Sequence, residues 1–406
     1  MIKIVSFRST CFPVVAFAVL IFLGANVTTA APSKKVPSRH GALKLVPETL
    51  RPGVKAALSH AGKNAPTWVA AILQAPAAQR KGLAYLLANM PTKDLRTLHK
   101  HFVLQDVSLA YAARRKAPWG QQMPEDIFLN YLLPYANVDE ARDPWRRQFS
   151  KLFSPLVAQC KTPSEAALIL NKDIFKMMHV QYSADKRPKP NQSPRESIAA
   201  HYASCTGLSV FLIDACRSVG VPARMVGTPL WAVRRGDKNG NNAGNHMWVE
   251  IWDGQWHVLG ASEVSPLDHT WFLPNAALAY GARKVRYQGF YLHRIYAASF
   301  KKSKLWFPLV WNLHDHSVNA EDVTDAYVHR RDVKVLLVNK KGEPAAGQLV
   351  LRQHGRLIAD LPVNGQAMLI LSAGQSYRAA VNFDHKVRRS IVRVPMSKHP
   401  VLRLRR

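Results

Sequence analysis

The segment from Cys205 to Leu259 constrains the chain more than any other, because its punctuation admits few folds. Leu208, Phe211, Leu212, Ala215, Cys216 and Val219 recur at helical spacing, and Gly220-Val221-Pro222 stops that helix. Ala223-Arg-Met-Val226 then reads as a strand. Beyond a polar loop, Arg234 to Gly244, the residue types of Asn245-His-Met-Trp-Val-Glu-Ile-Trp252 suit a second strand. Asp253-Gly254 is a hairpin turn, and Gln255-Trp-His-Val-Leu259 is the returning strand. This order predicts an α+β core, with one helix packed on an antiparallel sheet. Cys205 falls at the helix N-terminus, in Ala203-Ser-Cys-Thr-Gly207.

A thiol at a helix N-terminus faces unpaired backbone N–H groups and the positive end of the helix dipole, which favour thiolate and lower its pKa. Cys205 is thereby a candidate nucleophile. His246, on the neighbouring strand, is placed to hold the thiolate as an ion pair and to protonate a leaving amine. The second ring nitrogen of such a histidine needs an acceptor to fix its tautomer. Glu263, just beyond the hairpin, is the candidate.

The run Cys205-Thr-Gly…Asp214-Ala-Cys-Arg-Ser-Val-Gly-Val-Pro-Ala-Arg224, followed by Asn245-His-Met-Trp-Val-Glu-Ile-Trp-Asp-Gly-Gln-Trp256, resembles the transglutaminase-like superfamily of papain-type cysteine enzymes, in the form of a bacterial secreted protein. The resemblance covers about residues 196 to 272. It implies a Cys–His–Asp site at the positions of Cys205, His246 and an acid after the hairpin. Aligning Trp256 with the family tryptophan puts Gly260 where the usual Asp stands. Glu263 is the nearest acid downstream, with Asp268 as the next choice. Without either carboxylate in reach of His246 the site is a dyad or inactive.

The rest of the chain falls into regions of different texture. Lys3 and Arg8 precede the apolar run Pro13 to Gly24, and Thr28-Thr-Ala-Ala31 offers small residues for cleavage, so residues 1–31 read as a signal peptide. Residues 32–49 read as a flexible leader. Residues 50–182 read as a helical N-terminal domain, with Thr92 as one cap and Thr162-Pro-Ser-Glu165 as a capping box. The core spans 183–320 and opens on a polar, Pro-rich linker, 183–195, that leads to a second capping signal, Ser193-Pro-Arg-Glu196. Short alternating strands over 321–406 read as a small β-sandwich.

The 406 residues carry 56 Lys+Arg against 26 Asp+Glu, a formal charge of +30. Loss of Lys3 and Arg8 with the signal peptide lowers this to +28. Such charge suits an anionic cell-envelope surface as partner. No motif indicates specific nucleic-acid recognition, and no stretch after the signal peptide suits a membrane span. Three cysteines remain after cleavage, Cys160, Cys205 and Cys216. On one helix the last two stand ~16 Å apart, too far to bridge. Cys160 and Cys216 read as core thiols, and Trp248, Trp252, Trp256 and Trp271 read as packing, which is also the default for Trp231, although its loop could line a cleft. The histidine pairs His99/His101 and His314/His316 lack the companions of a metal site, and no cofactor is expected.

These readings predict an exported, periplasmic or secreted, cysteine-dependent enzyme that acts on amide bonds of proteins or peptides through an acyl-thioester, as a peptidase or amidase. A protein-glutamine transglutaminase and an inactive basic binding scaffold of the envelope are the alternatives.

Overall fold

The computed structural model describes residues 38–231, 244–276, 286–287, 290–291, 294–327, 330–353, 355–384, 386–395, 397 and 399–405. The expected signal peptide, with Cys11, and most of the loop 234–244 lie outside them.

From Arg39 onward the first third is helical: α1 (Arg39–Lys44), α2 (Arg51–His60), α3 (Ala65–Gln74), α4 (Arg80–Asn89), α5 (Thr92–Thr97), α6 (Lys100–Lys116), the single turn α7 (Glu125–Ile127), α8 (Trp145–Phe153) and α9 (Pro163–Met177). The expected leader is therefore ordered from Ser38. The Ser38 hydroxyl accepts from Gly41 N–H at 3.3 Å, and Ala42 and Val46 are buried, so two apolar residues suffice to dock α1 onto the bundle. Thr92 is the first residue of α5 and makes no cap, whereas Thr162 does cap α9, accepting from Glu165 N–H at 3.2 Å.

Strands β1 (Gln181–Tyr182) and β2 (Tyr202–Ala203) pair in parallel around α10 (Pro194–Ala200). The Ser193–Glu196 capping box forms in both directions, at 3.4 and 2.8 Å. Helix α11 (Cys205–Ser218) ends at Gly220, whose φ of +91° and close approach to the Ala113 carbonyl exclude a side chain. Then come β3 (Ala223–Thr228), β4 (His246–Trp252), β5 (Trp256–Leu259), α12 (Leu273–Ala276), the ribbon β6 (Arg286–Tyr287) with β7 (Phe290–Tyr291), β8 (Tyr296–Ser299), β9 (Leu305–Trp306), β10 (Asn319–Asp322) and α13 (Thr324–Tyr327). The central sheet is antiparallel in the order β5-β4-β3-β8-β10-β9, and α11 packs on β3 and β4.

The last region comprises β11 (Arg330–Val338), β12 (Ala346–Gln353), β13 (Arg356–Asn364), β14 (Gln366–Ser372), β15 (Ser376–Phe383), β16 (Lys386–Arg393) and β17 (Val401–Arg405). Their order is β16-β15-β12-β13-β14-β11-β17, but β13 and β14 share only the pair Asn364↔Gln366. The sheet folds over at that hairpin into two layers, which enclose Val333, Leu349, Leu369, Val381 and Leu404 in one core. This is the expected sandwich. Asp360 N–H bonds the Gly254 carbonyl at 2.6 Å, tying the sandwich to the tip of the β4–β5 hairpin.

No break in the core falls at the expected boundary 182/183. One apolar cluster runs from Ala42 through α8 and α9 to α11, β3 and β4. After α7 a π-helical turn, Phe128–Leu132, leads into a largely buried stretch without regular structure that runs to α8, and buried carbonyls there need donors. Arg217, at the end of α11, donates to the carbonyls of Tyr131, Pro134, Ala136 and Ala223 at 2.9–3.2 Å. Arg146 donates to those of Leu133, Pro134 and Arg217 and to Asp106 at 2.8 Å. The helical region is thus part of the platform under α11.

Arg224 on β3 and Glu250 on β4 are direct cross-strand partners, both buried, 2.6–2.7 Å apart. Arg224 also stacks on the Trp256 ring at 3.8 Å. Arg224→Ala strands a buried carboxylate and is expected to cost about 3–5 kcal/mol in urea unfolding. The double change Arg224→Met, Glu250→Leu should cost far less; equal losses would show that packing, not charge pairing, is the larger effect.

Candidate active site

Cys205 is the first residue of α11 and is partly buried. Ser204 before it is extended (φ −83°, ψ 178°), and its hydroxyl donates to the Pro190 carbonyl at 3.2 Å instead of capping the helix. The first-turn N–H groups therefore stay available to the site. The N–H groups of Met247 and Thr206 and the Thr206 hydroxyl stabilise charge on the sulfur, as does Arg187 at longer range. Burial outweighs them and pushes the thiol above its ordinary value. This runs against the expected low-pKa thiolate: the N–H and hydroxyl donors and Arg187 do not offset desolvation at this depth.

His246 opens β4 opposite Thr228 of β3, immediately before Met247, whose N–H faces the sulfur. Its ring lies among Trp231, Trp248, Trp271 and Phe272, with centroids 4.9–6.0 Å away. Its Nε2 is buried and makes no hydrogen bond among the described residues. Burial lowers its pKa to about 4. The resting pair is neutral thiol and neutral imidazole, not the expected ion pair. Three of the four rings are buried, but Trp271 is 60% exposed, so it is not the packing residue the sequence suggested. Trp248 is fixed from behind: its indole N–H donates to the Tyr327 hydroxyl at 2.8 Å, which donates to Glu250 at 2.7 Å.

The turn after β5 is set by Asn171 of α9, which sequence reasoning missed. Its amide donates to the carbonyls of Gly260 and Glu263 at 2.9 and 2.7 Å and accepts from Ser262 N–H at 2.8 Å. The Glu263 side chain folds back over Gly260. A Cβ at 260 would lie 2.2 Å from Glu263 Oε2, so the carboxylate fills the space that a residue-260 side chain would take. Glu263 Oε1 accepts from Trp271 Nε1 at 2.8 Å, and burial raises its pKa despite that bond. Glu263 therefore meets Trp271, and Trp271 meets His246. Asp268 accepts from Val258 N–H at 3.0 Å and pairs with His257 at 2.6 Å, which removes it as a partner for His246.

Residues 183–195, expected as a linker, form a wall of this site. Ser183 N–H bonds the Ala203 carbonyl at 2.9 Å, Gln192 donates to the Tyr202 carbonyl at 2.9 Å, and Lys186 sits over the Tyr202 ring. The signal was the segment's polar side chains at short spacing beside two prolines, which compete for local backbone bonds as well as a linker would. Cys160 and Cys216 are buried, and none of the three described cysteines is bridged. Among the described residues no group of His, Cys, Asp and Glu gathers as a metal site, and no helix is long and apolar enough to cross a membrane.

Burying a neutral His246 couples stability to acid. Its folded pKa lies below the ordinary 6.5, so the unfolded chain takes up the proton first. The loss is absent above about pH 6.5 and grows toward about 3 kcal/mol as pH falls through 4. Unfolding midpoints of the wild type should drop over this window more than those of His246→Gln; parallel curves would show that His246 titrates normally.

A sequence profile described as Transglutaminase-like superfamily matches residues 150–261, which contain Cys205, His246 and the whole α9–β5 frame. A search of curated proteins finds no match. Among solved structures, a candidate cysteine protease from Cytophaga hutchinsonii is similar at 17% identity and a TM-score of 0.24, covering 30% of this chain and 40% of that one. Red sea bream transglutaminase is similar at 10% identity and a TM-score of 0.31, covering 69% of this chain and 65% of that one. This chain thus spans less than two thirds of either structure's length. The profile match to the transglutaminase-like superfamily thus covers the segment, residues 150–261, that contains the α11–β3–β4–β5 arrangement around Cys205.

Proposed function

We propose that the protein is an exported thiol enzyme that cleaves or exchanges amide bonds of proteins or peptides. The observation that carries this reading is the placement of the Cys205 sulfur at the start of α11, against the N–H that follows His246. A substrate carbonyl beside the sulfur has its oxygen near the free first-turn N–H groups of α11. His246, neutral at rest, takes the thiol proton as sulfur bonds to the carbonyl carbon, and the oxygen becomes an oxyanion. Collapse expels the amine, which takes the proton from His246 and leaves a thioester. Water then gives an acid, and a second amine gives a new amide. Hydrolysis is the preferred outcome because nothing among the described residues near Cys205 marks an amine tunnel. The cleavable N-terminal segment and the +28 mature charge support export toward an anionic envelope.

Glu263 enters as a positioning residue, acting on His246 through Trp271. Glu263→Gln keeps an acceptor for the indole, so its kcat should stay near wild type. Glu263→Ala and Trp271→Phe should each lower kcat by about tenfold, with the double change no worse than either. A Gln variant as poor as Ala, beside a silent Trp271→Phe, would make Glu263 a direct partner of His246.

The test of the whole reading uses protein with Cys160 and Cys216 replaced by Ser. Iodoacetamide should modify Cys205 stoichiometrically, with a rate that climbs above pH 8.5 as burial dictates. Release of fluorescent peptides from labelled casein should rise through about pH 4 as His246 deprotonates, reach a plateau near neutrality, and fall by about a thousandfold or more in Cys205→Ala. Turnover that survives Cys205→Ala would end the proposal, and incorporation of dansylcadaverine in place of hydrolysis would move it to transamidation.

A further inference from the structure

The edge of the sandwich carries a surface that neither its core nor the site around Cys205 explains. β16 stands at one end of the strand order, pairs with β15 alone among the described residues, and is exposed at every position except Val392. Tyr377, Ala379, Val381 and Phe383 of β15 fill the core, so the opposite face is the outer one. On that face lie Val387, Arg389, Ile391 and Arg393 of β16, beside Asn382, Ala380, Arg378 and Ser376 of β15. Ile391 is 75% exposed and Val387 47%. Arg378 stands directly opposite Ile391, and Arg389 and Arg393 flank it two positions away on either side. Three guanidinium groups therefore surround one bare apolar side chain, with Arg378 the diagonal neighbour of the other two at about 7–8 Å.

Residues 376–393 hold five Lys+Arg, at 378, 386, 388, 389 and 393, and one acid, Asp384. None of the five forms an ion pair among the described residues. Lys386 and Arg388, on the core side of the strand, join Lys340 and Lys341 around a cleft of about 380 Å³, where Glu343 is taken up by the Asn339 amide at 2.8 Å. Inward charge on an edge strand keeps the strands of other molecules from adding to it, which accounts for Lys386 and Arg388. It does not account for the outer face, where like charges repel and Ile391 meets water. An apolar side chain ringed by cations suits a partner with an anionic layer outside and hydrocarbon beneath. Val387 and Ile391 then reach the acyl boundary while the guanidinium groups stay among phosphates, their long stems adding apolar contact. A soluble polyanion would engage the arginines and leave Ile391 in water.

We propose that this face, through Arg378, Arg389, Arg393, Val387 and Ile391, docks the protein on an anionic phospholipid bilayer. The proposal narrows the anionic envelope partner to a lipid surface and rests on the proposed export, not on the chemistry of Cys205.

The test uses the mature chain, residues 32–406, so that the apolar signal segment takes no part. Vesicles of phosphatidylcholine with about one third phosphatidylglycerol should sediment the protein, pure phosphatidylcholine should not, and added salt should weaken the binding. Ile391→Ser, and separately Arg389→Gln with Arg393→Gln, should each lower the affinity for the anionic vesicles by about tenfold, with urea midpoints unchanged. Arg115→Gln with Lys116→Gln, which removes the same charge from exposed positions on α6, should have little effect. Heparin binding should fall in the Arg389, Arg393 pair and be unchanged in Ile391→Ser. Vesicle binding that ignores Ile391→Ser makes the face a polyanion site and overturns lipid docking. Equal losses from the α6 and β16 pairs reduce the effect to net charge and overturn it as well. Casein turnover in solution should be the same in all these variants, so an inactive Cys205 leaves the inference standing. Export is scored by N-terminal sequencing of the full chain's product outside the cytoplasm of a bacterial host, and its failure would leave the vesicle result intact.

Discussion

The buried pair Arg224–Glu250 is the interaction on which the site depends. It joins β3 and β4 at one register, and the same register sets His246 opposite Thr228. Its other oxygen, through Tyr327, holds the indole of Trp248 against the His246 ring. Two buried charges lose several kcal/mol each of hydration, which only dense hydrogen bonding and mutual attraction can offset. Here Glu250 has the guanidinium and a hydroxyl, and Arg224 has Glu250, the Tyr131 hydroxyl, the more exposed Glu321 and the face of Trp256. Arg217 performs the corresponding task for α11, tying its C-terminal end to carbonyls of a buried loop. The two ends of the frame around Cys205 and His246 are therefore fixed by guanidinium groups rather than by apolar packing alone.

Much of this frame was legible because its signals are local. Gly220-Val-Pro222 and Asp253-Gly254 delimit α11, β3 and the β4–β5 hairpin by backbone constraint, and the Ser193 capping box forms as its four residues indicate. Arg224 and Glu250 stood in the quoted motifs, but the sequence does not reveal that they pair, since register is a property of two strands. The errors share one cause. The place of Cys205 at a helix start is legible locally, whereas the burial that raises its pKa is not. Asn171 escaped notice for the same reason, standing about ninety positions from the turn that it fastens.

Gly260 shows how a missing side chain can leave a carboxylate in place. With no Cβ at 260, the turn held by Asn171 lets Glu263 fold back over the glycine and deliver its carboxylate to nearly the volume that an acid at 260 would fill. The longer side chain gives reach but not direction. In this structure the direction comes from Trp271, whose indole captures Glu263 Oε1, and His246 Nε2 has no acceptor among the described residues.

That arrangement sets the energetics of the chemistry. With the thiol above its ordinary value and His246 at about 4, both groups rest uncharged before substrate arrives. A site of this kind does not store a thiolate. In the proposed reaction, proton transfer accompanies the bond from sulfur to carbon, when charge passes from the buried thiol to an oxyanion near the first-turn N–H groups of α11. Any group that raises the basicity of His246 at that moment lowers the barrier directly. Glu263 has no cation partner among the described residues, and its carboxylate meets the one ring around His246, of the four, that is exposed to solvent. The aromatic enclosure thus keeps the resting pair neutral, and its single exposed member stands where substrate contact can alter the proton balance.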